Sequence, residues 1–550
     1  MTSDTSPTFR GRRPRALAFG TSGLRGLVTD LTDLEAWINV RGFLRWLETS
    51  RNWTPGDVAV AGDLRPSTER ILGAVRRAII DAGGRVRDQG RIPTPALALH
   101  GITEGWPSVM VTGSHIPFDR NGIKLNRPDG EVLKTDEAGI LRSVTEVRAS
   151  IYAEAPETSI FDDEGALKAS ARLEPDPHEE EARARFRDRL VGAFSPGALS
   201  GLRIGVFSHS AVGRDLLREI LDALGAETAE LGRSETFVPV DTEAVDPQLL
   251  RRIEAEAEPY RARQQRFDAV VSTDGDSDRP LLVLLDEEGR AQQIRGDTLG
   301  AMVAEDLEAD AIAVPVSASD LVDRHLGHFG VHIVRTRIGS PYVIAAFPEL
   351  EGLRNVGFEA NGGFLVATPL DIGRAPIDPL PTRDAFLPLV TVLARCAARH
   401  EPIAERVARL PARITAAGLL DEIPPERGHR VTRRLSFRDF EEVWLELPRG
   451  RRPGETPRSL SNQDLAAAEA HAAEVAALWA SLGVGRLIHL NATDGVRMRF
   501  ETDDVIHLRP SGNAPQFRIY VTAHSRERAE RLVEEGLAAG GPVRRLLDGD

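Results

Sequence analysis

The chain has 550 residues, which corresponds to three or four domains at about 100–200 residues per domain. With 41% hydrophobic and 28% charged residues it has the composition of a folded globular protein, and disorder of the whole chain is excluded. A net charge of −14 disfavours a nucleic-acid partner. The sequence has no apolar run long enough for a signal peptide or a membrane span, which predicts no membrane partner. The single cysteine, Cys396, excludes internal disulfides and, with the other two observations, predicts a cytoplasmic protein.

Three stretches of the chain share one pattern, namely a short β-branched run, a small or polar turn and an amphipathic helical segment. They span residues 51–90, 203–232 and 311–337, and in the last of them the helical segment is predicted over residues 320–337. Short strands that alternate with helices of 10–15 residues indicate βαβ units and mixed or parallel sheets. Any α/β protein shows this rhythm, but its recurrence at three places favours three related α/β domains.

The last part of the chain has a different pattern. An alanine-rich helix is predicted over residues 462–482, followed by strand-like runs within 487–523 and a helix over 525–537. This order indicates a fourth domain of the α+β class. Residues 154–181 and 448–458 have the composition of linkers or surface excursions. The predicted domains are therefore 1–185, 186–300, 301–420 and 421–550.

A serine-containing turn, MVTGSHIPFDRNGIKL, follows an apolar strand at residues 110–125. Ser114 lies there beside His115, and a serine in such a turn can act as a nucleophile or phosphate carrier, or simply cap the turn. Lys124 stands out because only 3 of the 69 basic residues are lysine. No G-x-S-x-G motif surrounds Ser114, so a serine hydrolase is disfavoured.

Three carboxylates at alternate positions follow the strand DAVVS, in the segment STDGDSDRP. Asp274, Asp276 and Asp278 can converge in a tight turn and offer the oxygen ligands that Mg²⁺ prefers. An EF-hand is excluded, since it would need glycine at Arg279 and glutamate at Leu285. An acidic surface turn remains an alternative, as does a phosphatase with an aspartate nucleophile.

Three further loops carry polar groups. In GFEANGGF, Glu359 and Asn361 could bind vicinal sugar hydroxyls. In LRPSGNAPQFRIY, Arg509 and Arg518 with the hydroxyl and backbone N–H groups between them could hold a phosphate dianion. In FGTSGLRG, Arg25 lies on a similar loop. Each of these segments could also be an ordinary turn.

Taken together, these segments resemble the α-D-phosphohexomutase superfamily, which includes the phosphomannomutases and phosphoglucomutases. FGTSGLRG and GDLRPST are similar to its N-terminal segments and VTGSHIPFDRNGIK to its phosphoserine loop. DGDSDR resembles its magnesium loop, GFEANGG its sugar loop and RPSGNAPQFR its phosphate loop. The resemblance spans the whole chain and implies four domains around one central cleft.

The resemblance implies a role for each residue near the reacting phosphate. Ser114 would carry the phosphate, and one Mg²⁺ would bind Ser114 together with the three aspartates of DGDSDR. Lys124 and Arg25 would assist proton transfer and stabilise charge, while His115 would support the loop. Arg279 would lie close to the transferred phosphate.

The resemblance also implies how the rest of the substrate is bound. Glu359 and Asn361 would contact the sugar hydroxyls. The phosphate that is not reacting would be held by Arg509, Ser511, Gly512, Asn513 and Arg518. The sequence departs from the family at Gly363, where many members carry a histidine.

The implied activity is the interconversion of hexose 6-phosphate and hexose 1-phosphate, of mannose, glucose or both. It would proceed through a phosphoserine and a hexose 1,6-bisphosphate, which also serves as activator. The implied enzyme works on a small phosphosugar as a monomer or homodimer. A metal-dependent sugar-phosphate phosphatase, or a non-catalytic sugar-phosphate binder on the same fold, remains the alternative.

Overall fold

The computed structural model describes residues 9, 17–20, 23–174, 177–446, 461–511 and 515–549. The chain divides into two compact units, Met1–Ala309 with Gly339–Ala404 and Asp310–Ile338 with Glu405–Asp550. Helices and strands alternate through most of the chain, and the predicted α/β class is confirmed. The four domain boundaries stay a prediction, and segment 448–458 lies outside the described residues.

The first sheet belongs to the first unit. Its strands are β1 (Ala18–Phe19), β2 (Leu24–Leu27), β3 (Asp57–Gly62), β4 (Arg85–Asp88), β5 (Ser108–Val111), β6 (Arg120–Arg127) and β7 (Gly130–Glu131). They run in the order β1-β2-β6-β5-β3-β4, with β7 paired to β6. Strand β3 pairs in parallel with β4 and β5, and the other pairs are antiparallel. The serine turn leaves the carboxyl end of β5.

Five helices accompany this sheet: α1 (Asp33–Arg51), α2 (Thr68–Asp81), α3 (Thr94–Glu104), α4 (Lys134–Tyr152) and α5 (Glu181–Ala193). The segment between α4 and α5 differs from the predicted linker. Phe161 is fully buried there, and Leu167 and Ala171 are each only 4% exposed within the core of the first sheet. Apolar residues spaced through an acidic stretch therefore attach it to the core.

The second sheet, also in the first unit, carries the three aspartates. Its strands are β8 (Arg203–Phe207), β9 (Glu227–Leu231), β10 (Ala269–Thr273), β11 (Pro280–Leu285) and β12 (Ala291–Ile294), and its helices are α6 (Arg214–Ala223), α7 (Pro247–Arg261) and α8 (Gly296–Asp306). The strand order is β12-β11-β10-β8-β9, parallel from β10 to β9 and antiparallel from β10 to β12. The aspartate turn joins β10 to β11 and begins at the carboxyl end of β10.

The third βα pattern is only partly as predicted. Strands β13 (Ala311–Pro315) and β14 (His332–Thr336) pair in parallel within the second unit, joined by helix α9 (Leu321–Leu326). The sequence predicted one long helical segment over residues 320–337, which is wrong in its second half. Gly330 adopts a φ of 78°, which ends the helical region, and the β-branched residues after it form β14.

The first unit is completed by helices α10 (Ser340–Ala346) and α11 (Phe386–Arg399) and by strands β15 (Asn355–Phe358), β16 (Phe364–Val366), β17 (Leu370–Asp371), β18 (Pro376–Ile377) and β19 (Leu380–Asp384). Strand β16 lies between β15 and β19, antiparallel to both. The loop with Glu359 joins β15 to β16, and Phe364 at its end is the register partner of Asp384. This register brings the end of β19 beside the sugar loop.

The C-terminal part of the chain forms an antiparallel sheet in the order β20-β25-β24-β23-β22-β21. After helix α12 (Ile403–Ala408), its strands are β20 (Ile414–Asp421), β21 (Glu442–Trp444), β22 (Leu487–Asn491), β23 (Val496–Phe500), β24 (Val505–Pro510) and β25 (Gln516–Ala523). Its helices are α13 (Pro425–Leu435), α14 (Asn462–Leu478), α15 (Arg526–Leu537) and α16 (Pro542–Asp548). The predicted α+β pattern of strands and helices is confirmed.

Helices α1 and α4 pack closely at Gly42, and this contact generates a stability prediction. A Cβ atom at residue 42 would lie 2.7 Å from the Cα and 2.8 Å from the N of Val144, so Gly42→Ala should lower the free energy of unfolding by about 1–3 kcal/mol. Gly73 in α2 has no atom within 4 Å of such a Cβ, so Gly73→Ala should raise it by about 0.5–1 kcal/mol. Urea unfolding of both variants is the measurement, and equal stability would contradict the close packing.

Candidate active site

Ser114 lies at the carboxyl end of β5 in a left-handed conformation with φ 56°, which is uncommon for a residue other than glycine. Its hydroxyl is buried and donates a hydrogen bond to Oδ2 of Asp274 at 2.6 Å. Its N–H is held by Oγ1 of Thr112 at 2.8 Å, and Nδ1 of His115 lies 3.3 Å from its Oγ. The left-handed backbone of Ser114 therefore orients its hydroxyl toward the aspartate loop.

Arg65, in the segment GDLRPST, fixes the shape of this turn, a role that the sequence did not predict. The guanidinium of Arg65 is anchored on Asp63 at 3.1 Å and donates four hydrogen bonds of 2.6–3.0 Å. Its acceptors are the carbonyl oxygens of Ser114, Ile116, Pro117 and Arg120. A Cβ at Gly113 would lie 2.6 Å from its Cζ, so glycine is needed there.

Asp274, Asp276 and Asp278 meet in one buried cluster, with one oxygen of each within 4.8 Å of the others. The loop makes a tight bend, with Ser277 at φ 59°. A Cβ at Gly275 would lie 2.7 Å from the carbonyl oxygen of Ser114, so this glycine allows the aspartate loop to approach the serine turn. The predicted convergence of the three carboxylates is present.

The neighbours of the cluster occupy one oxygen of two of these aspartates. Lys124 on β6 donates to Oδ2 of Asp276 at 2.6 Å and to Oδ2 of Asp278 at 2.5 Å, and Thr94 donates to Oδ2 of Asp276 at 2.5 Å. Oδ1 of Asp276 and Oδ1 of Asp278 are buried and accept no hydrogen bond from the described residues. Two orphaned anionic oxygens beside the Ser114 hydroxyl suit a divalent cation with oxygen ligands.

The charges of the cluster perturb its pKa values in opposite directions. Burial and the charges of Asp276 and Asp278 raise the pKa of Asp274 well above its usual value. Burial would also raise the pKa of Asp278, but the positive charges of its neighbours hold that pKa well below its usual value. Asp274 is thus the carboxylate that most needs an added positive charge to stay ionised.

Two cations, Arg279 and Arg25, lie beside the cluster together with His115. Arg279 donates to Nδ1 of His115 at 2.8 Å. Burial, followed by the charges of Arg279 and Arg25, lowers the pKa of His115 to about 2, so its imidazole is neutral and Nδ1 is an acceptor. Burial and the charges of Arg279 and Arg383 lower the pKa of Arg25 to about 10, so it remains charged at neutral pH.

The sugar loop presents Glu359 and Asn361, which are 3% and 5% exposed. Oδ1 of Asn361 accepts the N–H of Gly363 at 3.0 Å and so closes the turn, which makes the amide NH₂ the group of Asn361 that can donate to a ligand. Oε2 of Glu359 accepts from Arg383 on β19 at 3.3 Å. Arg383 was missed by sequence reasoning, although a charged pair at the end of the strand in LPTRD was a usable signal.

In the second unit, the hairpin of β24 and β25 carries the residues predicted to hold a phosphate. Arg509 and Arg518 are direct register partners, so two positive side chains stand opposite each other. Such a pair is unfavourable without an anion between them. Asp494, also missed, accepts from Nε of Arg509 at 2.9 Å, and Nε of Arg518 is buried with no partner among the described residues.

Ser511 is buried at the end of this hairpin, where its N–H donates to the carbonyl of Gln516 at 2.8 Å. Gly512 and Asn513 lie outside the described residues. The structure therefore forms two groups of predicted residues. One, in the first unit, contains Ser114, the three aspartates and their cationic neighbours, and the other, in the second unit, contains the hairpin arginines.

Comparisons with known proteins decide the family. The models for alpha/beta/alpha domains I and III of phosphoglucomutase/phosphomannomutase match residues 16–150 and 295–414. A phosphomannomutase of Sinorhizobium fredii (strain NBRC 101917 / NGR234) is 37% identical over 526 residues, which cover 94% of this chain and 98% of that protein. The chain belongs to the phosphoglucomutase/phosphomannomutase family.

Two further members of this family extend the comparison. A phosphomannomutase of Salmonella muenchen is 37% identical over 522 residues, covering 94% of this chain and 95% of its own. The crystal structure of a phosphoglucomutase/phosphomannomutase family protein from Burkholderia thailandensis shares the fold, with a TM-score of 0.65, 18% identity and 96% of each chain covered. The predicted superfamily and enzyme class, a phosphohexomutase, are confirmed. Among the described residues, no helix is long and apolar enough to cross a bilayer.

The aspartate cluster of this phosphohexomutase generates a metal-binding prediction. MgCl₂ at about 100 times its dissociation constant should stabilise the full chain by about 2.7 kcal/mol relative to EDTA, because only the folded state brings the three carboxylates together. Asp276→Asn should lose most of this stabilisation, as measured by thermal melting with and without Mg²⁺.

The matched control for that experiment is Asp286→Asn. Asp286 is an exposed aspartate paired with Arg290 at 2.7 Å, so its variant should keep the full stabilisation. An unchanged response of Asp276→Asn to Mg²⁺ would show that the cluster is not the metal site.

Proposed function

We propose that this phosphohexomutase interconverts hexose 6-phosphates and hexose 1-phosphates through a phosphorylated Ser114 and a hexose 1,6-bisphosphate, with mannose phosphates as substrates. The observation that carries the proposal is the Ser114 hydroxyl, buried and 2.6 Å from Asp274 in a cluster with two orphaned carboxylate oxygens. The names of the relatives at 37% identity support mannose as the sugar.

In the proposed reaction, a free hydroxyl of the sugar phosphate attacks the phosphorus of phosphorylated Ser114. The bond from phosphorus to Oγ breaks, the proton of the sugar hydroxyl is transferred overall to Oγ, and the bisphosphate forms with the Ser114 hydroxyl restored. The bisphosphate then presents its other phosphate, which passes to Ser114 while the sugar oxygen regains a proton. The two transfers leave the enzyme phosphorylated again and the phosphate moved between carbons 1 and 6.

The donor set of the cluster fits Mg²⁺, which Ser114 and the three aspartates would hold. When bound, the cation would neutralise negative charge on the phosphate oxygens. Asp276 and Asp278 offer their Oδ1 atoms, which accept no hydrogen bond from the described residues, and Asp274 offers the oxygen that now accepts from Ser114. The hydrogen bonds from Lys124 and Thr94 orient these carboxylates, as outer partners of metal ligands do.

The cationic residues have proposed roles that follow from their contacts. Lys124, held between two carboxylates, offsets their charge, and Arg279 and Arg25 supply positive charge for the transferring phosphate. Neutral His115 accepts from Arg279 and so fixes the direction of that guanidinium beside Ser114. Glu359 and the amide of Asn361 are proposed to bind the hydroxyls of the sugar ring.

The phosphate that is not reacting is proposed to bind the hairpin arginines of the second unit, with Ser511, Gly512 and Asn513. Arg509 and Arg518 face each other in register, and a phosphate dianion between them would turn repulsion into two charge-assisted contacts. A simple phosphatase releases its product after one transfer and does not need this second phosphate site. The substrate is therefore proposed to be a small phosphosugar. The enzyme is also proposed to be cytoplasmic and to be a monomer or homodimer.

Ser114→Ala is predicted to lower mutase turnover by several orders of magnitude and to leave the fold intact, because the variant lacks the oxygen that carries the phosphate. Turnover of mannose 1-phosphate with added bisphosphate and the intact mass of the protein are the measurements. Ser143→Ala on α4, a serine outside this cluster, is the matched control and should stay fully active. Near-normal turnover by Ser114→Ala would refute the covalent mechanism.

Arg509→Ala is predicted to raise KM and to lower kcat/KM about 10- to 150-fold, which corresponds to a charge-assisted hydrogen bond of about 1.5–3 kcal/mol. It should also need more added bisphosphate, because the intermediate escapes before it is reoriented. Turnover against bisphosphate concentration is the measurement, with Arg526→Ala, an exposed arginine paired with Glu530, as control. A curve identical to that of the wild type would favour the phosphatase alternative.

A further inference from the structure

Arg383, at the end of β19, has a fully buried guanidinium with 1% of its side chain exposed. Its Nε and Nη2 donate to Oδ2 of Asp278 at 3.0 and 2.8 Å, and its Nη1 donates to Oε2 of Glu359 at 3.3 Å. One planar group thus joins a carboxylate of the aspartate cluster to the carboxylate of the sugar loop.

The stem of this arginine occupies space that a side chain at residue 363 would otherwise fill. A Cβ at Gly363 would lie 2.6 Å from both Cγ and Cδ of Arg383 and 3.0 Å from its Cβ. These atoms are near the backbone and cannot move aside as the tip of a side chain can. The glycine at the end of the sugar loop therefore admits Arg383 to the cluster.

The two cations on Asp278 determine which of its oxygens remains available. Arg383 and Lys124 both donate to Oδ2, while Oδ1 is buried and accepts no hydrogen bond from the described residues. Since Oδ2 is held from two directions, rotation of the carboxylate is restrained. Oδ1 is thereby kept as the ligand atom.

We propose that Arg383 is a positioning residue that couples the sugar loop to the metal site, and that Gly363 is required to admit it. The proposal rests on the proposed function, in which Asp278 binds the cation and Glu359 binds the sugar ring. Contact of the ring with Glu359 is transmitted through one rigid guanidinium to Asp278. A lysine cannot replace it, because a single ammonium lacks the forked geometry that spans both carboxylates.

Two variants test this coupling in the full-length chain. Arg383→Lys keeps the charge and removes the fork, while Gly363→Ala keeps the guanidinium and displaces its stem. The matched controls are Arg189→Lys, a buried arginine on Asp384 at 3.2 Å, and Gly205→Ala, where a Cβ would lie 2.8 Å from Cδ1 of Leu231. Thermal melting identifies variants that do not fold, and if Arg383→Lys fails, Gly363→Ala decides the result by the same measurements.

The first readout is the affinity for Mg²⁺ alone, measured by calorimetry without sugar phosphate. Both test variants should bind Mg²⁺ about 10-fold more weakly or worse, the effect typical of losing an outer partner of a metal ligand. The two controls should bind it as the wild type does. Wild-type affinity in the folded test variants would overturn the proposal.

The second readout is kcat/KM for mannose 1-phosphate at saturating Mg²⁺, in a double-mutant cycle of Arg383→Lys with Glu359→Gln. If the two side chains act as one unit, the double variant should lose much less activity than the product of the single losses. Losses that multiply would overturn the coupling. If the wild type turns over no hexose phosphate, the proposed function is wrong, and the Mg²⁺ affinities alone decide whether Arg383 positions Asp278.

Discussion

Three carboxylates buried within 4.8 Å of one another repel strongly, and much of the surrounding structure offsets that repulsion. Lys124 and Thr94 donate hydrogen bonds to Oδ2 of Asp276, and Lys124 and Arg383 donate hydrogen bonds to Oδ2 of Asp278. The pairing is incomplete, since two oxygens of the cluster have no donor among the described residues. A bound cation would offset the repulsion among these carboxylates, whereas without a cation that repulsion lowers the stability of the folded state.

The serine turn depends on a second buried charge pair. Arg65 and Asp63 lie two residues apart after the end of β3, and the guanidinium holds four carbonyl oxygens of the turn. Because these carbonyls fix the turn, Ser114 keeps its left-handed backbone and its hydroxyl points at Asp274.

The net charge of −14 does not prevent binding of an anionic substrate, since the local field comes from the arginines and lysine beside the cluster.

Much of this site was visible in the sequence, because its groups follow strands and strand ends are recognisable. The apolar run before Asp274 and the turn around Ser114 predicted both loops, and the rarity of lysine drew attention to Lys124. Arg383 was not predicted, since its place beside the sugar loop depends on the pairing of β16 with β19, whose register is irregular. Asp494 was not predicted because a single aspartate in a turn has no distinguishing sequence pattern, and its contact with Arg509 follows from the pairing of β23 with β24. Residues 320–337 were misjudged because apolar spacing fits a helix there, while Gly330 ends it.

The contact between Gly363 and Arg383 restricts how this site can change during evolution. With any side chain at residue 363 the stem of Arg383 has no room, and without Arg383 one oxygen of Glu359 loses a buried partner. Substitutions at the two positions are therefore expected to be non-additive, because the room for the arginine stem depends on the glycine. A side chain at residue 363 should therefore cost less stability in a chain that lacks Arg383 than it does in this one.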